Sequence, residues 1–202
     1  MDSRTIRLKF GRDYVADART FVMGIDQRFT TEIARRFRNR RVLETCTGGG
    51  FSTIALAQRA SHVITVEINP VHQLQARQNI EIAQLEDHVT FVLADIMDEN
   101  TWNGLPPIDA AFLDPDWAIT GPDHVHRFID SSTRPPADKL LERTLRATNN
   151  VALVLPPMLN TQEFDGLPVH ELHKLYLNQS HELYCLYFGD LALSAGETEL
   201  RA

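Results

Sequence analysis

The stretch that most constrains the fold is Val42-Leu43-Glu44-Thr45-Cys46-Thr47-Gly48-Gly49-Gly50-Phe51-Ser52-Thr53. It reads as a strand, a glycine turn and the first turn of a helix. An acidic residue closes the strand just before the glycines. A second, Glu67, closes the next apolar run, Val63-Ile64-Thr65-Val66. Acids and a glycine turn at successive strand ends are the layout of a nucleotide-type ligand site at the carboxyl edge of parallel strands. The rest of the chain must then alternate helix and strand.

It does so. Asp26 caps a helix running to about Asn39, with Phe29, Ile33 and Phe37 on one face. Arg41 to Cys46 is the first strand, Phe51 to Ala60 a helix and His62 to Ile68 the second strand. Asn69-Pro70 opens a helix to about Leu85. Strands follow at Val89 to Leu93, Ile108 to Leu113 and Val151 to Leu155, with a helix from Ala137 to Ala147 before the last of these. Two more strands, Val169 to Leu177 and Leu183 to Phe188, are close enough to pair antiparallel, and the final one is apolar on both faces. The expected fold is an α/β three-layer αβα sandwich of Rossmann-like type, with a mostly parallel seven-stranded sheet and an antiparallel last strand. No linker or repeat interrupts it, so one domain over 1–202 is expected, with an arm over 1–25 and a core over 26–202. Residues 118–136 lack periodicity and read as a substrate loop.

The formal net charge of −7 excludes a global basic field for long nucleic acid. One local basic run stands out: Arg35, Arg36, Arg38, Arg40 and Arg41. It reads as a solvated helix end or as a phosphate-binding patch for RNA. Cys46 and Cys185 are far apart and read as reduced, packed thiols. His124 and His126 have no evident third partner, so no metal site is expected. No apolar stretch approaches membrane-spanning length and no signal-type run follows Met1; a cytoplasmic location and no membrane partner are expected.

The ligand class follows from the acids. A full dinucleotide fingerprint would need a third glycine at position 53, where Thr53 stands. Glu44 beside the glycines repels a pyrophosphate and suits a cation. S-adenosyl-L-methionine (SAM) carries an ammonium and a sulfonium and no phosphate. Gly48 and Gly50 let the backbone approach its methionine end. Glu67 stands where an acid binds ribose hydroxyls, and Asp95 ends the third strand, placed for the adenine amine. Thr45, Ser52, Thr53, Ile68 and Ile96 flank these positions and complete the expected cofactor-binding set. An NAD-dependent oxidoreductase with an imperfect fingerprint is the rival.

After the fourth strand comes Asp114-Pro115-Asp116-Trp117. An amine on a planar ring is poorly nucleophilic because its lone pair is conjugated. A carboxylate or carbonyl that accepts its hydrogens lets the nitrogen turn pyramidal, while an aromatic face holds the ring. From about Phe21 to Leu191 the chain resembles the RNA cap guanine-N2 methyltransferases. The resemblance rests on the Glu44-to-Ile54 turn, Val66-Glu67-Ile68-Asn69-Pro70 with Ala76-Arg77-Gln78-Asn79, Ala94-Asp95, Phe112-to-Trp117, and Asn149-Asn150-Val151 with Tyr187-Phe188-Gly189-Asp190-Leu191. It implies a SAM-dependent methyltransferase with an RNA or nucleotide substrate, Trp117 stacking on the base and Asp114 and Pro115 forming the amine-side turn as catalytic residues. Asp116 replaces a usual second Pro, Ala118-Ile119 replace usual glycines, and Thr47 and Phe51 replace usual turn residues. Other acceptors, small molecules or protein side chains, and a non-catalytic SAM-binding relative are the alternatives.

Overall fold

The computed structural model describes residues 2–117 and 126–202. Residues 118–125, with Ala118, Ile119 and His124 of the expected loop, lie outside the described residues. The chain divides into two compact units, Met1–Asp109 and Ala110–Ala202.

The first unit begins with α1 (Ser3–Phe10), capped by Asp2 and stopped by left-handed Gly11, and α2 (Ala18–Met23), opened by a capping box of Asp17 and Thr20. Then come α3 (Gln27–Arg35) with Asp26 as cap, β1 (Arg41–Thr45), α4 (Phe51–Ala57), β2 (His62–Glu67), α5 (Pro70–Ala83), β3 (Val89–Leu93) and α6 (Glu99–Gly104). Asn69 caps α5 by accepting the Val71 N–H, and Pro70 takes the first helical position. The three strands are parallel with β2 in the middle; Arg41 pairs with His62 and Glu67 with Leu93. Their carboxyl ends therefore share one edge.

Helices α4 and α5 pack on β2, and α3 packs on α4. Phe29, Ile33, Phe37, Leu43, Leu56, Val63 and Ile80 form the buried core between them. Burial of this apolar stripe, rather than helix propensity, holds the short helices. The α4–α5 approach is close at Gly50: a Cβ there would sit 2.9 Å from Ala76 Cβ.

The second unit holds β4 (Ala110–Leu113), α7 (Ala137–Leu145), β5 (Val151–Leu155), β6 (His170–Leu177), β7 (Ser180–Phe188) and β8 (Gly196–Arg201). Strands β4 and β5 are parallel and fully buried, as their unbroken apolar runs require. Strand β7 lies antiparallel between β5 and β6. Asn178 and Gln179, both at positive φ, make the tight turn into it. Strand β8 runs parallel to β6 and is an eighth strand where seven were expected. Its sequence, Gly-Glu-Thr-Glu-Leu-Arg, carries no apolar face because its positions are mostly exposed. Its attachment is polar: the buried carboxylate of Glu171 accepts the Thr198 hydroxyl (2.6 Å) and the Leu193 N–H (2.8 Å).

The Phe188-Gly189-Asp190-Leu191 piece has a structural role. Asn150 Oδ1 accepts the Asp190 N–H (2.8 Å), and a Cβ on Gly189 would lie 2.6 Å from the Asn149 carbonyl oxygen. Gly189, at φ +61, lets the end of β7 fold onto the start of β5. Among the described residues no helix is long and apolar enough to cross a membrane.

Candidate cofactor site and acceptor turn

The glycine turn leaves β1 through Cys46, which adopts φ +63, and its N–H donates to the Val66 carbonyl (2.9 Å). Gly48 stands at φ +53, and a Cβ built on it would meet only the Cys46 carbonyl oxygen, at 3.9 Å. Its neighbours differ: a Cβ on Gly49 would collide with the Phe51 ring at 2.6 Å. Gly48 therefore presents bare backbone to open space, while Gly49 and Gly50 are glycines for internal packing.

Glu67 organises the rim. Its carboxylate accepts the Gly48 N–H (2.9 Å) and the Asn69 N–H (2.8 Å), tying the turn after β1 to the start of α5. Each oxygen keeps acceptor capacity for a ligand hydroxyl. Ile68 beside it is exposed, as is Leu93, which pairs with Glu67 across the sheet. At the end of β3, Asp95 is exposed; one carboxylate oxygen accepts the Met97 N–H (2.8 Å), and the other has no protein partner among the described residues. Ile96 is buried and its carbonyl accepts the Trp102 indole N–H (2.6 Å).

Glu44 lies deeper. It is buried, and the Thr53 hydroxyl donates to it at 2.6 Å. Burial pushes its carboxyl up to about 7; the Thr53 and Thr65 hydroxyls pull it down, and the Glu67 charge raises it further. Glu44 thus fastens the first turn of α4 to β1. Thr45 is buried with a hydroxyl that has no hydrogen-bond partner among the described residues. Ser52 is buried in the first turn of α4.

Two side chains that sequence reading missed hold this turn. Gln75 and Asn79 stand four apart on α5 and face the same way. Asn79, fully buried, accepts the Val15 N–H (2.7 Å) and donates to the carbonyls of Val15 (2.9 Å) and Gly49 (2.8 Å). Gln75 donates to the Val15 carbonyl (2.8 Å) and to the Thr20 hydroxyl (2.9 Å). Phe10 stacks on Phe51 with centroids 3.6 Å apart and rings nearly parallel. The amino-terminal arm is thereby pinned against the glycine turn. A polar pair at helical spacing was the available signal.

The second unit presents Asp114-Pro115-Asp116-Trp117 at the end of β4. Asp116 and Arg134 form an antiparallel bridge through both N–H···O=C bonds (2.9 Å each), and the Arg134 guanidinium donates to the Asp116 carboxylate (3.1 Å). A proline at 116 could not supply that N–H, which explains why Asp serves here. Asp114 is half-buried and Pro115 buried. Trp117 is half-buried, with an indole N–H that has no hydrogen-bond partner among the described residues. Further along, Glu163 accepts the N–H groups of Phe128 (2.7 Å) and Ile129 (2.9 Å), and the Met158 carbonyl accepts the N–H of buried His126 (3.0 Å). No group of residues suited to hold a metal occurs among the described residues. Cys46 and Cys185 are not joined by a disulfide among the described residues.

The donor set fits SAM. Bare backbone at Gly48, a fixed acid for diol hydroxyls, an exposed apolar pair for a flat ring and an available carboxylate oxygen at Asp95 lie at one strand edge. Negative groups dominate this edge, which favours a cationic ligand over a pyrophosphate.

A sequence profile of the RNA cap guanine-N2 methyltransferase family matches residues 39–188. Catechol O-methyltransferase of Mycobacterium tuberculosis (strain H37Rv) is 38% identical over 92 residues, covering 44% of this chain and 42% of that protein. Among solved structures, a Porphyromonas gingivalis W83 chain assigned as a methyltransferase aligns with a TM-score of 0.74 at 19% identity, over 95% of this chain and 48% of its own. The Thermus thermophilus 16S rRNA N2 G1207 methyltransferase, solved with AdoMet and guanosine, aligns with a TM-score of 0.58 at 15% identity, over 86% of this chain and 43% of that one. This chain spans less than half the length of each of these three proteins. The structural likenesses establish a Rossmann-like methyltransferase fold.

Proposed function

This chain belongs to the RNA cap guanine-N2 methyltransferase family, and we propose that it moves a methyl group from SAM to the exocyclic amine of a guanine in RNA. The observation that carries the cofactor half is the Glu67 carboxylate holding the Gly48 N–H beside bare turn backbone. When bound there, SAM supplies an electrophilic methyl on a sulfonium. Gly48 lies along its methionine end while Gly50, packed on Ala76, holds the turn in shape; Glu67 accepts from the ribose hydroxyls and Asp95 from the adenine amine, with Ile68 and Ile96 flanking the ring. Thr45, Ser52 and Thr53 line the turn, and Glu44 keeps that turn in place from beneath.

The acceptor half rests on the family match, which includes Asp114 to Trp117. The Trp117 face holds the purine. Asp114 and the Pro115 carbonyl accept the amine hydrogens, so the nitrogen lone pair leaves conjugation and points at the methyl carbon. The nitrogen would take the methyl that bound SAM supplies, and one amine proton would pass to the Asp114 carboxylate. Positioning supplies most of the acceleration. The whole chain acts as one catalytic domain in this reading.

A second reading keeps the cofactor and takes a small-molecule acceptor; the catechol O-methyltransferase match favours it. Labelled SAM offered in parallel to total RNA, guanosine and a small-molecule extract separates them. We expect label in RNA, lost in Trp117→Ala while S-adenosylhomocysteine (SAH) affinity stays within about twofold. Label confined to the extract would overturn the RNA assignment.

A further inference from the structure

The arginine run of the sequence acquires a partner in the fold. The turn after α3 and the turn after α4 are stitched together: the Asn39 N–H donates to the Arg59 carbonyl (3.0 Å) and the Ser61 N–H to the Arg40 carbonyl (2.9 Å). Asn39, at φ +60, makes that approach possible. Exposed Arg38 and Arg59, distant in sequence, thereby share the rim of one open concavity of about 480 Å³, with Asn39, Gln58 and His88 also lining it. Neither Arg38 nor Arg59 makes an ion pair among the described residues. Exposed Arg41 begins β1 beside them, its backbone N–H held by Asp109 (2.7 Å). Positive charge also reaches the neighbouring strand: the His62 imidazole is held below its usual range by burial first, then by Arg41 and His88. The acids at this end are Asp109, engaged with Arg41, and Glu86 and Asp87 on the short turn before His88.

We propose that this basic concavity docks the phosphate backbone of an RNA substrate, away from the nucleotide being modified; the proposal rests on the RNA reading above. The three strands of this unit are parallel, so their amino ends, Arg41, His62 and Val89, mark the edge opposite the glycine turn. Five residues of strand separate the two edges by about 17 Å. A nucleoside at the cofactor edge cannot touch Arg38 or Arg59, whereas a polynucleotide reaches both. Paired guanidinium groups beside neutral amides suit phosphate oxygens, which they contact bidentately without reading sequence. The charge at two helix ends would also offset helix dipoles, but that role predicts no dependence on RNA.

The test is fluorescence anisotropy of a labelled single-stranded RNA 20-mer against salt, with wild type, Arg38→Gln/Arg59→Gln and an equally charge-reduced control, Arg4→Gln/Arg146→Gln. For the first double variant we expect uniformly weaker RNA binding and a salt slope smaller by about 1.4, roughly 0.7 for each single-strand phosphate no longer neutralised. Its SAH affinity, thermal midpoint and methylation of free guanosine should match wild type. Wild-type-like RNA affinity and slope in the double variant would overturn the proposal. So would an equal loss in the control, polyglutamate competing as well as RNA, or a wild-type chain without RNA affinity at low salt. Loss of SAH binding or of guanosine methylation by the wild type would instead count against the catalytic reading and leave the anisotropy result to stand alone.

Discussion

Replacing Asn79 by Ala should show how far the glycine turn depends on the amino-terminal arm. The side chain is fully buried and makes three hydrogen bonds, two to Val15 and one to the Gly49 carbonyl. The Val15 carbonyl keeps its bond from Gln75. The Val15 N–H and the Gly49 carbonyl lose this partner. The Gly49 group is the more deeply buried and loses about 1 to 3 kcal/mol of stabilisation; the part-buried Val15 bonds add about 1 kcal/mol. The sum, about 3 kcal/mol, lowers the melting temperature of a chain this size by roughly 6 to 12 °C. Asn79→Asp should be no better, because its second oxygen would face two carbonyls. Thermal unfolding by circular dichroism measures the loss, and limited proteolysis locates it: cleavage within residues 10–24 should accelerate before the core is cut. SAH affinity should weaken about tenfold if 1.4 kcal/mol of the loss falls on the turn. A variant within about 0.5 kcal/mol of wild type, with an uncut arm, would refute the clamp.

Two more outcomes follow from the acids. Glu44, raised to about 7 by burial, is protonated in the folded chain at pH values where the unfolded chain has lost the proton. Its contribution to stability is therefore complete below about 4.5 and is lost as pH rises through 7, roughly 3 kcal/mol in all. Glu44→Gln should flatten that segment of the stability–pH curve from urea unfolding; an unchanged curve would remove Glu44 from the linkage. Glu67→Ala frees the N–H groups of Gly48 and Asn69 and should weaken SAH binding at least tenfold by calorimetry, with undiminished affinity as the contrary result.

Much of this fold was legible because its strands carry continuous apolar runs, β4 and β5 being buried on both faces. Val89–Leu93 and Val151–Leu155 have the bounds that their apolar runs mark, and Asp26 and Asn69-Pro70 start helices as their capping chemistry requires. Helix ends were harder. The segment after Ala57 turns into the stitch with Arg40 instead of continuing to Ala60, a tertiary hydrogen bond that periodicity cannot show. Strand β8 was invisible because an edge strand needs no apolar face and because Glu171, far away in sequence, supplies its anchor. The helices of the arm were not read, because its partner Phe51 stands beside the glycines and nothing local links Phe10 to it.

At the site, the sequence marks Glu67 and Asp95 as strand-end acids; in the fold Glu67 accepts the Gly48 N–H and Asp95 the Met97 N–H. From sequence Glu44 reads as an acid facing a ligand cation, whereas the fold buries it. Its neighbours Thr53 and Thr65 show what alternation along β1 and β2 does: the pair Glu44 and Thr65 points to the side covered by α4. Asp116, a departure from the usual pattern, became intelligible only through Arg134, because an N–H donor is needed there.

Electron density from a crystal grown with SAH tests the cofactor site most directly. We expect the amino-acid end over Gly48, the ribose hydroxyls within hydrogen-bond distance of Glu67 and the adenine between Ile68 and Ile96 with its amine toward Asp95. Density for SAH at another place on the chain, with Glu67 still bonded only to Gly48 and Asn69, would contradict the site and the methyltransferase chemistry built on it.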